Sequence, residues 1–204
     1  MKLEKYIKKA KETESKLENI KGNPQLVVNL LTVFTAAGRM LDQLKKHTFY
    51  GKEYDIEKFN FDYQTIINTL QHLAVIPISG SDEQMEEITI TEINPRLFHA
   101  IIGIATEATE LCEALYKVFT HTEVVDSDLV INLREESTDL NWYQAIFYDT
   151  LRELGYEASW SDDLDLNIKK LEKRYRKTGK LKFTSDAAIN RDLKAERKIL
   201  EKAK

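Results

Sequence analysis

The sequence contains very little cysteine, glycine or proline. Its 204 residues include one cysteine, seven glycines and three prolines. All-β folds need many turns, which draw on glycine and proline, so this composition favours an all-α fold. The single cysteine, Cys112, excludes an internal disulfide framework and is typical of a reducing compartment, from which we expect a cytoplasmic protein.

Long apolar runs are also missing. No stretch reaches the roughly 18–20 consecutive apolar residues that a membrane helix needs, and the charged N-terminal segment lacks the apolar core of a signal peptide. Hydrophobic residues nevertheless make up 42% of the chain, which is enough for a packed core. We therefore expect a soluble globular protein without a membrane partner.

Charge is unevenly distributed along the chain. In total, 30 Lys+Arg residues oppose 34 Asp+Glu residues. Residues 165–204 carry 14 basic and 6 acidic side chains, whereas residues 1–164 carry 16 basic and 28 acidic ones. An acidic body with a basic tail suits a metal ion in one place and phosphates in another. Because acidic residues interleave with the basic ones in the terminal helix, we expect no nucleic-acid partner.

Two stretches of the sequence repeat one another at an offset of 71 residues. Both begin with Asn-Pro-x-Leu, at Asn23 and at Asn94, and eight of 36 positions are identical, where ordinary residue usage gives about two. Each stretch predicts a helix, a loop and a second helix. The predicted organisation is an N-terminal helix over 1–22, a first copy over 23–75, a linker over 76–93, and a second copy with basic C-terminal helices over 94–204.

Two acidic pairs lie in the second copy. Glu107 and Glu110 fall on its first predicted helix, and Glu136 and Asp139 fall on the next. The i, i+3 spacing places the members of each pair on one helical face, about 5–6 Å apart at Cβ. Each face interrupts an apolar stripe, and a hard divalent cation such as Mg²⁺ or Mn²⁺ would relieve the repulsion of four carboxylates in a bundle. The alternative is two solvated acidic faces.

A cationic face follows these acids in the chain. Asn167, Lys170 and Arg174 recur at i, i+3 and i+7 and therefore share one side of a predicted helix. Such a face beside a metal site suits a polyphosphate held by both. An ordinary solvated basic helix is the alternative.

These motifs, in this order, resemble those of the MazG-like all-α nucleoside triphosphate pyrophosphohydrolases, and most closely the single-domain members of bacteria and phages. The resemblance runs from about Asn94 to Leu200. It is carried by the segments His99–Leu111, Asn132–Tyr143, Asn167–Tyr175 and Asn190–Arg197. It implies a MazG-like helical bundle and the Mg²⁺-dependent hydrolysis of a (deoxy)nucleoside triphosphate to its monophosphate and pyrophosphate.

The resemblance also implies roles for individual residues. The metal ligands of the family map onto Glu107, Glu110, Glu136 and Asp139. Either Glu107 or Glu110 would then orient or deprotonate the attacking water. The substrate-binding positions map onto Asn167, Lys170, Arg174 and Tyr175. Because family enzymes work as dimers, the resemblance also allows a homodimer of this chain.

The first copy departs from the second in a complementary way. It has Ala36, Arg39, Gln64 and Ile67 where the second copy has the four acids. It nevertheless contains the family's Lys-Lys-His-x-Phe-Tyr-Gly-Lys loop over residues 45–52, whereas the corresponding segment of the second copy matches this motif poorly. Our hypothesis is a fused tandem pseudo-dimer in which Lys52 and Tyr50 of the first copy contact a substrate bound at the second. A packing scaffold is the alternative role for the first copy.

Several functions fit this pattern besides general nucleoside triphosphate hydrolysis. They are a dUTPase-like specificity, hydrolysis of a (p)ppGpp-type alarmone, and nucleotide binding without turnover. Base preference depends on a few hydrogen bonds and a stacking surface, and the sequence does not predict it.

Overall fold

The structure, a computed structural model, describes residues 2–16, 20–75, 89–90, 93–120, 124–177 and 180–201. As the composition predicts, these residues are mostly helical. The helices are α1 (Leu3–Ala10), α2 (Pro24–Tyr50), α3 (Ile56–Leu73), α4 (Pro95–Phe119), α5 (Ser127–Glu153), α6 (Trp160–Tyr175), α7 (Ser185–Ile189) and α8 (Leu193–Glu201).

The strands are very short. They are β1 (Ile20–Lys21), β2 (Thr89–Ile90), β3 (Arg176–Lys177) and β4 (Lys180–Leu181). Strands β3 and β4 pair antiparallel, with Arg176 opposite Leu181. None of the described helices has both the length and the apolar character that crossing a membrane requires.

The chain forms two compact units that interleave along the sequence. Unit 1 contains residues 1–20, 91–165 and 204, and unit 2 contains residues 21–90 and 166–203. Each unit is built on one long helical hairpin, α4–α5 in unit 1 and α2–α3 in unit 2. Helix α1 packs against α5, and α7 packs against α2. The C-terminal helices therefore belong to the unit of the first copy, although they follow the second copy in the chain.

The two hairpins begin with the same capping structure. The Asn23 side chain accepts hydrogen bonds from the backbone N–H groups two and three residues later, at 2.9 and 3.2 Å. The Asn94 side chain accepts one from the N–H three residues later, at 3.0 Å. Pro24 and Pro95 occupy the first helical position. A backbone N–H there has no partner within the helix, so proline, which has no N–H, sacrifices no hydrogen bond. The repeated Asn-Pro pair thus starts a helix in both copies.

The core of unit 1 lies where α1, α4 and α5 meet. Ala100, Ala145 and Ile146 are fully buried there, and Ile7 and Trp160 pack onto them. Small side chains on facing helices let the two backbones approach closely.

Gly103 marks the closest approach of α4 to α5. A Cβ atom at this position would lie 2.1 Å from the Tyr143 ring, so only glycine fits there without displacing the ring. The ring is also enclosed by His99 and Trp142, with centroid separations of 5.4 and 4.9 Å and nearly perpendicular planes. Tyr143 therefore has one well-defined position on α5.

The N-terminal helix is shorter than the range predicted for it, 1–22. Helix α1 ends at Ala10, a 3₁₀ turn follows over Lys11–Thr13, and the backbone is extended at Glu14. The reason is a distant contact, because Glu14 forms a bidentate ion pair with Arg96 of α4, at 2.5 and 2.6 Å. Most of the predicted linker over 76–93 lies outside the described residues.

Candidate metal centre

Three glutamates converge on the α4–α5 hairpin. Glu107 and Glu110 lie on α4 and Glu136 lies on α5, and one carboxylate oxygen from each falls within 4.8 Å of the other two. The side chain of Glu136 is buried, Glu107 is half-buried and Glu110 is exposed. The cluster therefore extends from the interior of the hairpin to solvent.

The electrostatics of this cluster show negative charge without compensation. Burial raises the pKa of Glu107, and the neighbouring charges of Glu110, Asp139 and Glu136 raise it further. The pKa of Glu110 is raised first by hydrogen bonding to Glu136 and then by the charge of that residue. Within the described part of the chain, none of these four acids forms an ion pair with a lysine or arginine. A bound cation would remove this repulsion.

Asp139, the fourth predicted ligand, lies at the rim. Its side chain is exposed and does not belong to the group of three oxygens within 4.8 Å. Its negative charge nevertheless contributes to raising the pKa values of Glu107 and Glu110, so it lies close enough to act on the cluster.

Two further residues contact this region and were not assigned a role from sequence. Asn132, one turn before Glu136 on α5, donates a hydrogen bond from Nδ2 to Glu136 Oε1 at 2.9 Å. This bond orients the buried carboxylate of Glu136. The i, i+4 spacing of the two residues is the sequence pattern from which such a bond can be predicted.

Tyr143 is the second such residue. Burial raises the pKa of its phenol, and the charges of Glu107, Asp139 and Glu110 raise it further, so the phenol and the acidic cluster interact electrostatically. In the sequence, Tyr143 reads as an ordinary core aromatic residue. The signal for its placement was Gly103, a glycine within an apolar helix, which indicates a close approach by another group.

The predicted substrate-binding residues all belong to unit 2. Asn167, Lys170, Arg174 and Tyr175 lie on α6, and Tyr50 and Lys52 lie at the end of α2 and just after it. Tyr50 and Tyr175 both pack against Phe183, each with a centroid separation of 5.6 Å, so the structure brings these two predicted residues together.

Arg174 is held by an internal ion pair. Its Nε and Nη2 donate to the two carboxylate oxygens of Glu196 at 2.8 and 2.6 Å, and Arg191 Nη2 donates to the same carboxylate at 2.7 Å. Hydrogen bonds from Arg174 lower the pKa of Glu196 to about 2, and Arg191 contributes to this effect. In contrast, Lys170 and Lys52 form no ion pair with any residue that the structure describes.

Comparison of the chain with family models, with curated proteins and with solved structures finds no match in any of the three.

Proposed function

We propose that this protein hydrolyses a (deoxy)nucleoside triphosphate to its monophosphate and pyrophosphate in a Mg²⁺-dependent reaction. The observation that carries this proposal is the convergence of Glu107, Glu110 and Glu136 with no cationic partner among the described residues. The resemblance of the motifs to the MazG-like enzymes supports the same ligand set. A buried glutamate beside two others, without a counter-ion among the described residues, supports a bound cation over the alternative of two solvated acidic faces.

The residues present fit a hard divalent cation. Glu107, Glu110, Glu136 and Asp139 offer only carboxylate oxygens, the ligands that Mg²⁺ and Mn²⁺ prefer. Bound there, Mg²⁺ would neutralise triphosphate charge and lower the pKa of a water molecule. Asn132 holds the Glu136 carboxylate in position, which limits the reorganisation needed on binding.

The protein's own groups would then perform the proton transfer. Glu107 or Glu110 would orient or deprotonate the attacking water. The water oxygen would form a new bond to one of the two phosphorus atoms that flank the α–β bridging oxygen. The bond between that phosphorus and the bridging oxygen would break, and the bridging oxygen would leave with the other product. The Tyr143 phenol is protonated at neutral pH even at its ordinary pKa, and would donate a hydrogen bond at the edge of the cluster.

Unit 2 has the charge needed to attract the substrate. It contains 19 Lys+Arg against 14 Asp+Glu, while unit 1 contains 11 against 20. From the motif resemblance, we propose that Lys170, Arg174 and Lys52 contact phosphate oxygens, that Asn167 contacts sugar or phosphate, and that Tyr50 contacts phosphate or base. Tyr175 belongs to the same predicted set of substrate-binding residues. Two of the guanidinium nitrogens of Arg174 are used by Glu196, so a phosphate would share this guanidinium group with that carboxylate. We also propose that the chain is a fused pseudo-dimer, that two chains pair as a homodimer, and that the protein is cytoplasmic.

The test is pyrophosphate release from a panel of (d)NTPs, including dUTP and guanosine polyphosphates, with and without Mg²⁺. We expect release by the wild type, loss in Glu110→Gln, and retention in Glu113→Gln. Glu113 is a matched control because it lies one turn further along α4 and is already paired with Lys117 at 3.2 Å. Tight nucleotide binding without turnover would identify a binding protein instead. Absence of both in folded protein would contradict the proposal.

A further inference from the structure

The α2–α3 hairpin of unit 2 contains a cleft lined almost entirely by charged side chains. Its volume is about 230 Å³. It lies on the copy of the repeat that lacks the acidic cluster, and its lining includes Arg39, which stands at the repeat position of Glu110. A permanent cation therefore occupies the position that carries a carboxylate in the other copy.

Arg39 is fixed in this cleft by a buried partner. Asp62 is only 3% exposed, and its Oδ1 accepts from Arg39 Nε at 2.8 Å and from Nη2 at 2.7 Å. The Arg39 side chain itself remains 54% exposed. Its guanidinium group is thus held at the cleft while part of it faces solvent, which disfavours a metal cation and favours an anion.

The other acidic groups of the cleft are mostly neutralised by neighbours. Asp42 forms ion pairs with Lys46 and with Lys45, the latter at 2.7 Å. Asp55 pairs with Lys58, and hydrogen bonds from Lys58 lower the pKa of Asp55.

Two charges in the cleft remain unpaired among the residues that the structure describes. They are Lys52 and Glu53, which follow the left-handed Gly51 that ends α2. Lys52 lines the cleft, and its charge also contributes to lowering the pKa of Asp55. Lys52 is therefore available to a ligand, and Glu53 is the one acid that would oppose an anion there.

We propose that this cleft binds a phosphate-bearing anion of about the size of pyrophosphate, without a metal ion. Arg39, Lys46 and Lys52 line the cleft and would contact the oxygens of this anion. The cleft is smaller than the roughly 300–1,000 Å³ of pockets that enclose a drug-sized ligand, so its volume suits a few phosphate groups better than an enclosed nucleotide. This site shares Lys52 with the substrate contacts proposed above, but it requires neither the acidic cluster nor hydrolysis there.

The experiment is calorimetric titration of the full-length protein with inorganic pyrophosphate at low salt. Metal is removed by resin rather than by EDTA, because EDTA is itself a polyanion. We expect the wild type to bind, and Lys52→Ala to weaken binding by about tenfold, the value of one charge-assisted hydrogen bond. Glu53→Gln should tighten binding by about threefold or more through loss of the opposing charge. A misfolded variant cannot mimic this gain.

Two control variants make the result specific. Lys45→Ala removes a lysine that pairs with the same Asp42 but does not line the cleft, and it should change the affinity by less than about twofold. Glu110→Gln should leave the affinity unchanged, which separates this site from the acidic cluster. The proposal is overturned if the wild type does not bind, if Lys45→Ala and Lys52→Ala weaken binding equally, or if Glu53→Gln binds no more tightly.

Discussion

Replacing Gly103 by alanine tests whether the contact between α4 and Tyr143 determines the packing of unit 1. The new Cβ would lie 2.1 Å from two ring carbons, whereas carbon atoms pack at about 3.5–4.0 Å. The ring must therefore move by more than about 1 Å, against His99 and Trp142. Overpacking of this kind costs about 1–3 kcal/mol, and alanine returns about 1 kcal/mol through its helix propensity. Because a contact of 2.1 Å is so short, we place the overpacking cost in the upper part of this range, about 2–3 kcal/mol, and expect a net loss of about 1–2 kcal/mol.

The same substitution at Gly38 provides the matched control. Gly38 lies within α2, and nothing approaches within 4 Å of the position its Cβ would take. Gly38→Ala should therefore stabilise the protein by about 0.5–1 kcal/mol. Both variants replace the same hydrogen atom by a methyl group. Changes of opposite sign in the free energy of unfolding would therefore separate the local clash from the general effect of alanine in a helix.

Urea unfolding measures both effects. Trp142 and Trp160 are the two tryptophans of the chain and both lie in unit 1, so their fluorescence reports Gly103→Ala, while circular dichroism reports Gly38→Ala. In a Tyr143→Ala background the clash is absent, and Gly103→Ala should become stabilising. Equal stability of Gly103→Ala and the wild type would refute the reasoning, as would an undiminished loss in the Tyr143→Ala background.

Two further predictions concern charge. The depressed pKa of Glu196, about 2, contributes stability that is present above the ordinary pKa near 4.5 and is lost as pH falls from about 4.5 towards 2. Glu196→Gln should therefore lower the free energy of unfolding by about 2–3 kcal/mol at pH 7 and much less at pH 2.5; a loss that is the same at both pH values in urea unfolding would contradict this. Glu107→Gln should stabilise the metal-free protein, because it removes one of the repelling charges, and should abolish any rise in Tm on adding Mg²⁺. A variant that keeps the full Mg²⁺-dependent rise would show that Glu107 is not a ligand.

Local signals in the sequence predicted the helices well. The Asn-Pro pairs at Asn23 and Asn94 start α2 and α4 as expected, because capping depends only on residues within one turn. The i, i+3 spacing of Glu107 and Glu110 placed both on one face of α4, where the structure has them beside Glu136. The metal ion itself remains a prediction.

Contacts between distant segments could not be predicted from the sequence. The early end of α1 depends on an ion pair between Glu14 and Arg96, which are 82 positions apart. Likewise, Arg174 read as a free phosphate ligand because nothing near it in the chain indicates Glu196, which lies 22 positions away. Such pairs are decided by how the elements pack, and that information is not contained in helical periodicity.

The interleaving of the two units has a consequence for synthesis of the chain. Unit 2 begins at residue 21 but is completed only by residues 166–203. At about 5–20 residues per second, the ribosome needs roughly 4–15 s to make the intervening residues 91–165. During this interval, α7 is not yet available to pack against α2. The nascent α2–α3 hairpin must therefore persist for several seconds without the C-terminal segment that completes its unit.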